Sequence, residues 1–120
     1  MIFVIDSDEV MAGCVARACE KVVGRGGVMV FSEALSAMAE ISDGVVPGMI
    51  LMDVMLTGPN GFTFLNELIS YEDTAKVPVV VISGVDFKMR DLSVYGVVAV
   101  LEKDIFTPGD VTRLVEQYAK

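Results

Sequence analysis

Five short apolar runs constrain this chain more than any other feature: Ile2–Ile5, Val28–Phe31, Met49–Met52, Val79–Ile82 and Val97–Leu101. Each ends near a turn or polar residue, and none alternates apolar with polar side chains. A strand apolar at every position has both faces covered, the condition of a parallel sheet between two helix layers. The segments between the runs carry helical spacing. Val10, Cys14, Val15, Ala18 and Val22 recur at a helical period that stops at Gly24-Arg25-Gly26-Gly27. Leu35, Met38, Ala39 and Ile41 predict a second helix with Ser32 as a candidate cap. Phe62, Phe64, Leu65, Leu68 and Ile69 predict a third, with Asn60 at its N-cap. Val111, Leu114, Val115 and Tyr118 predict the last, after Thr107-Pro108, where proline suits a first helical turn. Val85–Tyr95 has a poor apolar pattern and predicts a helix that is short or mobile.

Strand and helix alternate five times, which predicts a doubly wound α/β sheet. The 120 residues suffice for one core, so the expectation is a single domain over residues 1–120. Right-handed crossovers and this size favour the flavodoxin-like strand order 2-1-3-4-5, with helices on both faces. In that order the first and third strands are neighbours at the switch point, and their carboxyl ends open on one cleft.

Composition narrows the function classes. Hydrophobic residues make up 53% of the chain and mean hydropathy is +0.60. No stretch of about 18 residues lacks charges and turn formers, so a membrane span is not expected. The sequence enters its first apolar run directly from Met1, with no basic leader and no cleavage site. The net charge of −8 gives nothing to counterion release, which argues against direct binding to nucleic acid or to an anionic membrane. Cys14 and Cys19 lie about 140° apart around a helix axis and cannot bridge each other. They read as buried thiols in a reducing compartment. The chain has no histidine, which removes imidazole metal sites, Ser-His or Cys-His catalysis and a phosphohistidine of its own.

Four polar groups converge at the carboxyl edge of the expected sheet. Asp6, with Ser7, Asp8 and Glu9 behind it, follows the first strand, and Asp53 follows the third. Ser83 ends the fourth strand and Lys103 follows the fifth. Taken singly, an acid after a strand is more often a helix cap, Ser83 before Gly84 a turn residue, and Lys103 a solvated charge. Four strand ends agreeing is a different matter. Carboxylates gathered this closely repel unless a cation joins them or a proton stays on. Hard oxygen donors suit Mg²⁺, which keeps several waters and also contacts a phosphoryl group. A hydroxyl and an ammonium would hold the phosphoryl oxygens, and Asp53 could act as the nucleophile.

The segments Phe3-Val4-Ile5-Asp6-Ser7-Asp8-Glu9, Ile50-Leu51-Met52-Asp53 through Pro59-Asn60-Gly61, Val79-Val80-Val81-Ile82-Ser83-Gly84 and Leu101-Glu102-Lys103 occur in this order. They resemble the four signatures of the receiver domain of two-component response regulators, over the whole chain. The resemblance implies that Asp53 is the phosphoacceptor, Asp6 an acidic magnesium ligand, Ser83 the switch hydroxyl and Lys103 the phosphoryl-binding lysine. The Mg²⁺ would also take the main-chain carbonyl of Met55, with Ser7 or Asp8 as a further candidate ligand. It also implies a histidine kinase or histidine phosphotransfer protein as donor, a downstream protein partner, a cytoplasmic signalling role and a monomer or weak dimer. Turnover would be limited to self-phosphorylation and slow autodephosphorylation. The chain departs from the family pattern at four places. Ser7 stands where a second acid is usual, Asp104 where proline commonly follows the lysine, and Val100 where an aromatic ring is common. The segment from Ser83 to Lys103 is about two residues shorter than usual. Met55 and Val85, which border the path of a hydrolytic water in the resemblance, are both apolar and imply a long-lived phosphoryl group.

Two other functions remain open on sequence grounds. One is a receiver fold used as a docking module without phosphorylation, to which Ser7, Val100 and Asp104 lean. The other is a haloacid-dehalogenase-like phosphatase with Asp6 as nucleophile, since Asp6-Ser7-Asp8-Glu9-Val10 fits its D-x-D-x-[TV] signature. That chemistry needs a late acidic pair for its metal, which is not found, and leaves Asp53 without a role.

Overall fold

Each apolar run becomes a strand because helices cover both of its faces. The computed structural model describes residues 1–55, 61–84 and 92–119. Strands β1 (Ile2–Ile5), β2 (Val28–Phe31), β3 (Met49–Met52), β4 (Val79–Ser83) and β5 (Val97–Glu102) form one parallel sheet in the order β2-β1-β3-β4-β5. The helices are α1 (Glu9–Val23), α2 (Ala34–Ser42), α3 (Gly61–Ser70) and α4 (Pro108–Tyr118). This is the expected flavodoxin-like order, and no expected strand boundary is off by more than one residue.

Side chains alternate between two cores. Phe3, Ile5, Ile50, Met52, Val79 and Val81 pack under α2 and α3, against Ala34, Ala37, Phe64, Leu65 and Leu68. Ile2, Val4, Met49, Leu51, Val80 and Ile82 pack on the other face under α1 and α4, against Val15, Cys19, Val111 and Val115. Burying one such side chain contributes roughly 1.5–3 kcal/mol, so neither face tolerates a polar position. Phe3 and Phe31 meet edge to face, with ring centroids 4.8 Å apart, and tie β1 to the edge strand β2. The β4–β5 ladder slips between Val79 and Val80, so that Val79 pairs with Val97 but Val80 with Ala99. That irregularity resets β5 and brings Glu102 opposite Ser83.

Helix ends follow capping chemistry. Asp8 caps α1, its Oδ1 accepting from the amides of Val10 (3.0 Å) and Met11 (3.1 Å). Gly24 ends α1 with φ +85°, a conformation that costs a side-chain-bearing residue energy. Thr107 and Asp110 form a reciprocal capping box at the start of α4, with Pro108 at the first helical position.

Four sequence expectations are corrected. The N-cap position of α2 is Glu33, without a side-chain cap bond, and not Ser32. Leu35 is 60% exposed, because the face of α2 turned to the sheet runs through Ala34 and Ala37, about 100° round the axis from Leu35. In α1 the buried set is Ala12, Val15, Ala16, Ala18 and Cys19, while Val10 is 81% exposed and Val22 lies at the surface. Cys14 is exposed and only Cys19 is buried, where burial pushes the thiol up to about 12. Asn60 and most of the Val85–Tyr95 segment lie outside the described residues, and the described part of that segment ends in a 3₁₀ turn at Ser93–Tyr95. Among the described residues, no helix is long and apolar enough to cross a membrane.

The capping box makes a stability prediction. Thr107→Ala removes the acceptor for the Asp110 amide and should cost about 1 kcal/mol. The melting temperature should fall by about 4 °C. Thr107→Ser should keep most of the loss from appearing, and equal melting of the alanine variant and the parent would contradict this account of the cap.

Candidate functional site

The strand-end residues are held by hydrogen bonds that carry the sheet ladder one residue past its strands. The amide of Asp6 donates to the Phe31 carbonyl at 3.0 Å, that of Asp53 to Ile5 at 3.0 Å, and that of Lys103 to Ser83 at 2.9 Å. Asp6, Asp53 and Lys103 thus start from fixed backbone at the carboxyl edge of the sheet, over β1, β3 and β5. Ser83 closes β4 between them and is fully buried.

Their side chains meet. Lys103 Nζ lies 2.9 Å from Asp53 Oδ2 and 3.7 Å from Asp6 Oδ2. The second oxygen of each carboxylate is held by the amide two residues on: Asp53 Oδ1 accepts from Met55 and Asp6 Oδ1 from Asp8, both at 2.9 Å. Asp53 is 2% exposed and Asp6 5%, so two nearly buried carboxylates share one ammonium. Burial pushes the Asp6 carboxyl above its ordinary value, against the pull of the Asp8 amide and Lys103, and the charges of Asp53 and Asp8 add to the rise. Burial pulls the Lys103 ammonium down, but its hydrogen bond to Asp53 and the charges of Asp6, Asp53 and Asp8 outweigh that and raise it. Lys103 therefore stays cationic throughout the neutral range.

The structure brings Asp6, Asp53 and Lys103 into contact, sets Ser83 on the same edge, and places Met55 against Asp53 through its amide. Ser7 is exposed beside Asp6, and Asp8 is exposed with one oxygen committed to the α1 cap. Glu9 lies in the first turn of α1, clear of the Lys103 contacts. The Met55 side chain is 52% exposed, and Val85 lies outside the described residues. Among the described residues, no cluster of three or more acidic, cysteine or histidine side chains stands ready for a metal. A cation here would draw on Asp6, Asp53, a main-chain carbonyl and water. Such hard oxygen donors with few constraints fit Mg²⁺. The amide donors of Met55 and Asp8 could not be read from side-chain types, because any residue with an N–H supplies them. Their one signal is the aspartate two residues earlier, a residue that favours such turns.

The raised Asp6 value predicts a pH signature of stability. An acid raised on folding contributes its stabilisation fully below its ordinary value of 3.8, and loses it as pH rises through the raised value. Above that raised value the ionised Asp6, buried beside the charges of Asp53 and Asp8, is thus a net burden on the fold. In metal-free buffer Asp6→Asn should melt higher than the parent at pH 7, with the gap closing as pH falls toward 3.8. Thermal melts across that range check it, and a variant less stable than the parent at pH 7 would show that the Lys103 pairing dominates instead.

A model of the response regulator receiver domain matches residues 2–116. The receiver domain of NtrX from Brucella abortus is 25% identical, with a TM-score of 0.80, covering 99% of this chain and 98% of that one. The signal receiver domain of the putative response regulator NarL from Mycobacterium tuberculosis is 23% identical, with a TM-score of 0.78 and coverage of 98% and 94%. The Mn²⁺-bound form of response regulator Rcp1 is 19% identical, with a TM-score of 0.74 and coverage of 99% and 94%. No relative matches among curated protein sequences. With nearly its full length matched and its strand order that of the fold, the chain belongs to the response regulator receiver domain family, a signalling module of two-component systems.

Proposed function

We propose that Asp53 is the phosphoryl acceptor of this receiver domain, with Lys103 and Ser83 holding the phosphoryl oxygens and Asp6 and Asp53 the side-chain ligands for Mg²⁺. The observation that carries this reading is the 2.9 Å contact of a buried Asp53 carboxylate with Lys103 at the switch point between β1 and β3. A buried carboxylate needs a counter-ion, and a cationic one beside it also serves the charge that a phosphoryl group brings.

In the proposed transfer, an Asp53 oxygen attacks the phosphorus of a phosphohistidine on a histidine kinase or phosphotransfer protein. An O–P bond forms as the P–N bond breaks, and the departing imidazole nitrogen keeps the electron pair and takes a proton from water. The chain has no histidine, so the donor imidazole belongs to the partner. The Met55 amide on Asp53 Oδ1 and the Lys103 ammonium on Oδ2 together fix the plane of the carboxylate. Mg²⁺, when bound, supplies further neutralisation of the phosphoryl oxygens. The half-exposed, apolar Met55 offers no group to orient a hydrolytic water, which supports a phosphoryl state with slow autodephosphorylation. The site works in the cytoplasm in this reading, and its signal passes to a downstream protein.

Two experiments test the assignment. Asp53→Asn should abolish labelling by acetyl phosphate, while Asp6→Asn should weaken it without abolishing it. Undiminished labelling of Asp53→Asn would remove Asp53 from the role. Ser7→Asp should tighten Mg²⁺ binding by about tenfold or more in calorimetric titration, because it returns a full charge beside Asp6. An unchanged affinity would mean that Asp8 already fills that place.

A further inference from the structure

At the end of the molecule opposite Asp53, the C-terminal halves of α2 and α3 border a groove of about 510 Å³. Met38, Ile41, Val46, Leu68 and Tyr71 give it an apolar floor and wall, and Glu67 and Asp73 stand on its border. Tyr71 is 61% exposed and Val46 43%, large apolar surface that the fold itself leaves in water. Leu35, one helical turn before Met38, extends the exposed apolar stripe along α2.

The charge around it has one sign. From Gly26 to Ala75 the chain has no lysine or arginine and seven acids: Glu33, Glu40, Asp43, Asp53, Glu67, Glu72 and Asp73. Both helices of the groove lie in that stretch. Of the seven, only Asp53 has a cation within ion-pair distance among the described residues. Glu40, Asp43 and Glu72 adjoin lining residues in the chain and add to the negative charge of this region beyond Glu67 and Asp73. Neither α2 nor α3 has a basic residue in its last turn, so their negative dipole ends at the groove are uncompensated and add to the same potential. Lys76, the next base along the chain, does not line the groove.

We infer that this groove docks a short, lysine- or arginine-rich amphipathic helix of a partner protein, which lays its apolar face on Met38, Ile41, Leu68 and Tyr71 and its basic residues on the carboxylate rim. An apolar floor in an acidic frame selects that chemistry twice. Neutral apolar helices gain no rim contacts, and acidic ones are repelled. None of the groove's lining residues belongs to the Asp53–Lys103 site.

The probe is a Leu/Lys peptide of about 14 residues with its leucines at helical spacing. It is titrated into the isotope-labelled full chain and followed by amide NMR. Amide shifts should concentrate at Met38, Ile41, Leu68, Tyr71 and Thr74. A Leu/Glu peptide of the same pattern and a Leu/Lys peptide with scrambled spacing should each bind at least about tenfold more weakly. Glu67→Lys or Asp73→Lys should weaken the Leu/Lys peptide by about the same factor, whereas Glu116→Lys, an equal charge change on exposed α4, should leave it within about twofold. Asp53→Asn should bind it like the parent, which separates this surface from the phosphorylation reading. Shifts centred elsewhere, equal binding of the scrambled peptide, equal weakening by Glu116→Lys, or no binding at all would each overturn the inference.

Discussion

The ammonium of Lys103 between two buried carboxylates is the contact on which the rest of this molecule's business end depends. Taking a carboxylate out of water costs several kcal/mol unless a partner replaces the water, and here two lie within reach of one cation. Backbone amides take the remaining oxygens, so neither Asp6 nor Asp53 relies on Lys103 alone. One cation against two carboxylates still leaves the cluster one negative charge in excess. Burial raises the Asp6 carboxyl and that excess adds to the rise, which makes the edge of the sheet receptive to a further cation.

Such a cluster can persist only on a rigid base, and the sheet provides it. The three ladder bonds to Asp6, Asp53 and Lys103 place their backbones as firmly as strand residues, although all three lie just outside the strands. Rigidity beneath them comes from the two-sided core. Phe3 and Ile5 point to one helix layer, Ile2 and Val4 to the other, so β1 can neither slide by one residue nor turn over without exposing apolar surface. The slip in the β4–β5 ladder belongs to the same design. With Glu102 set opposite Ser83, the next residue is Lys103, and its amide reaches the Ser83 carbonyl.

What the sequence disclosed follows from how each feature is encoded. The strands were legible almost to the residue, because a run apolar at every position has one physical explanation here. The strand-end residues were legible because charge at the end of such a run is conspicuous. Helix faces were read less well. In α1 the alanines at 12, 16 and 18 are small and numerous, so the eye follows Val10 and Val22, which the fold leaves at the surface. In α2 the close approach to the sheet is made by Ala34 and Ala37, and the larger Leu35 has no room there. Ser32 has the preferred capping chemistry, yet α2 begins one residue too late for it to cap. Backbone amides that grip the two carboxylates leave no residue-type signature at all.

Charge along the chain explains why Lys103 has to come from β5. Between Gly26 and Ala75 no basic residue exists, so the third strand, which carries Asp53, has no cation of its own stretch to offer. Parallel topology solves this across the sheet rather than along the chain. The order β2-β1-β3-β4-β5 puts β4 between β3 and β5, and a lysine has the length to span that one strand from the end of β5. A shorter base at position 103 would leave Asp53 and Asp6 buried without a counter-ion, and a lysine one residue earlier would take the place of Glu102, whose exposed position points away from the contact. The base-free stretch from Gly26 to Ala75 and the lysine that reaches into it are two sides of one arrangement: among the described residues the fold concentrates negative charge there and sets the Lys103 cation against it at the end of β5.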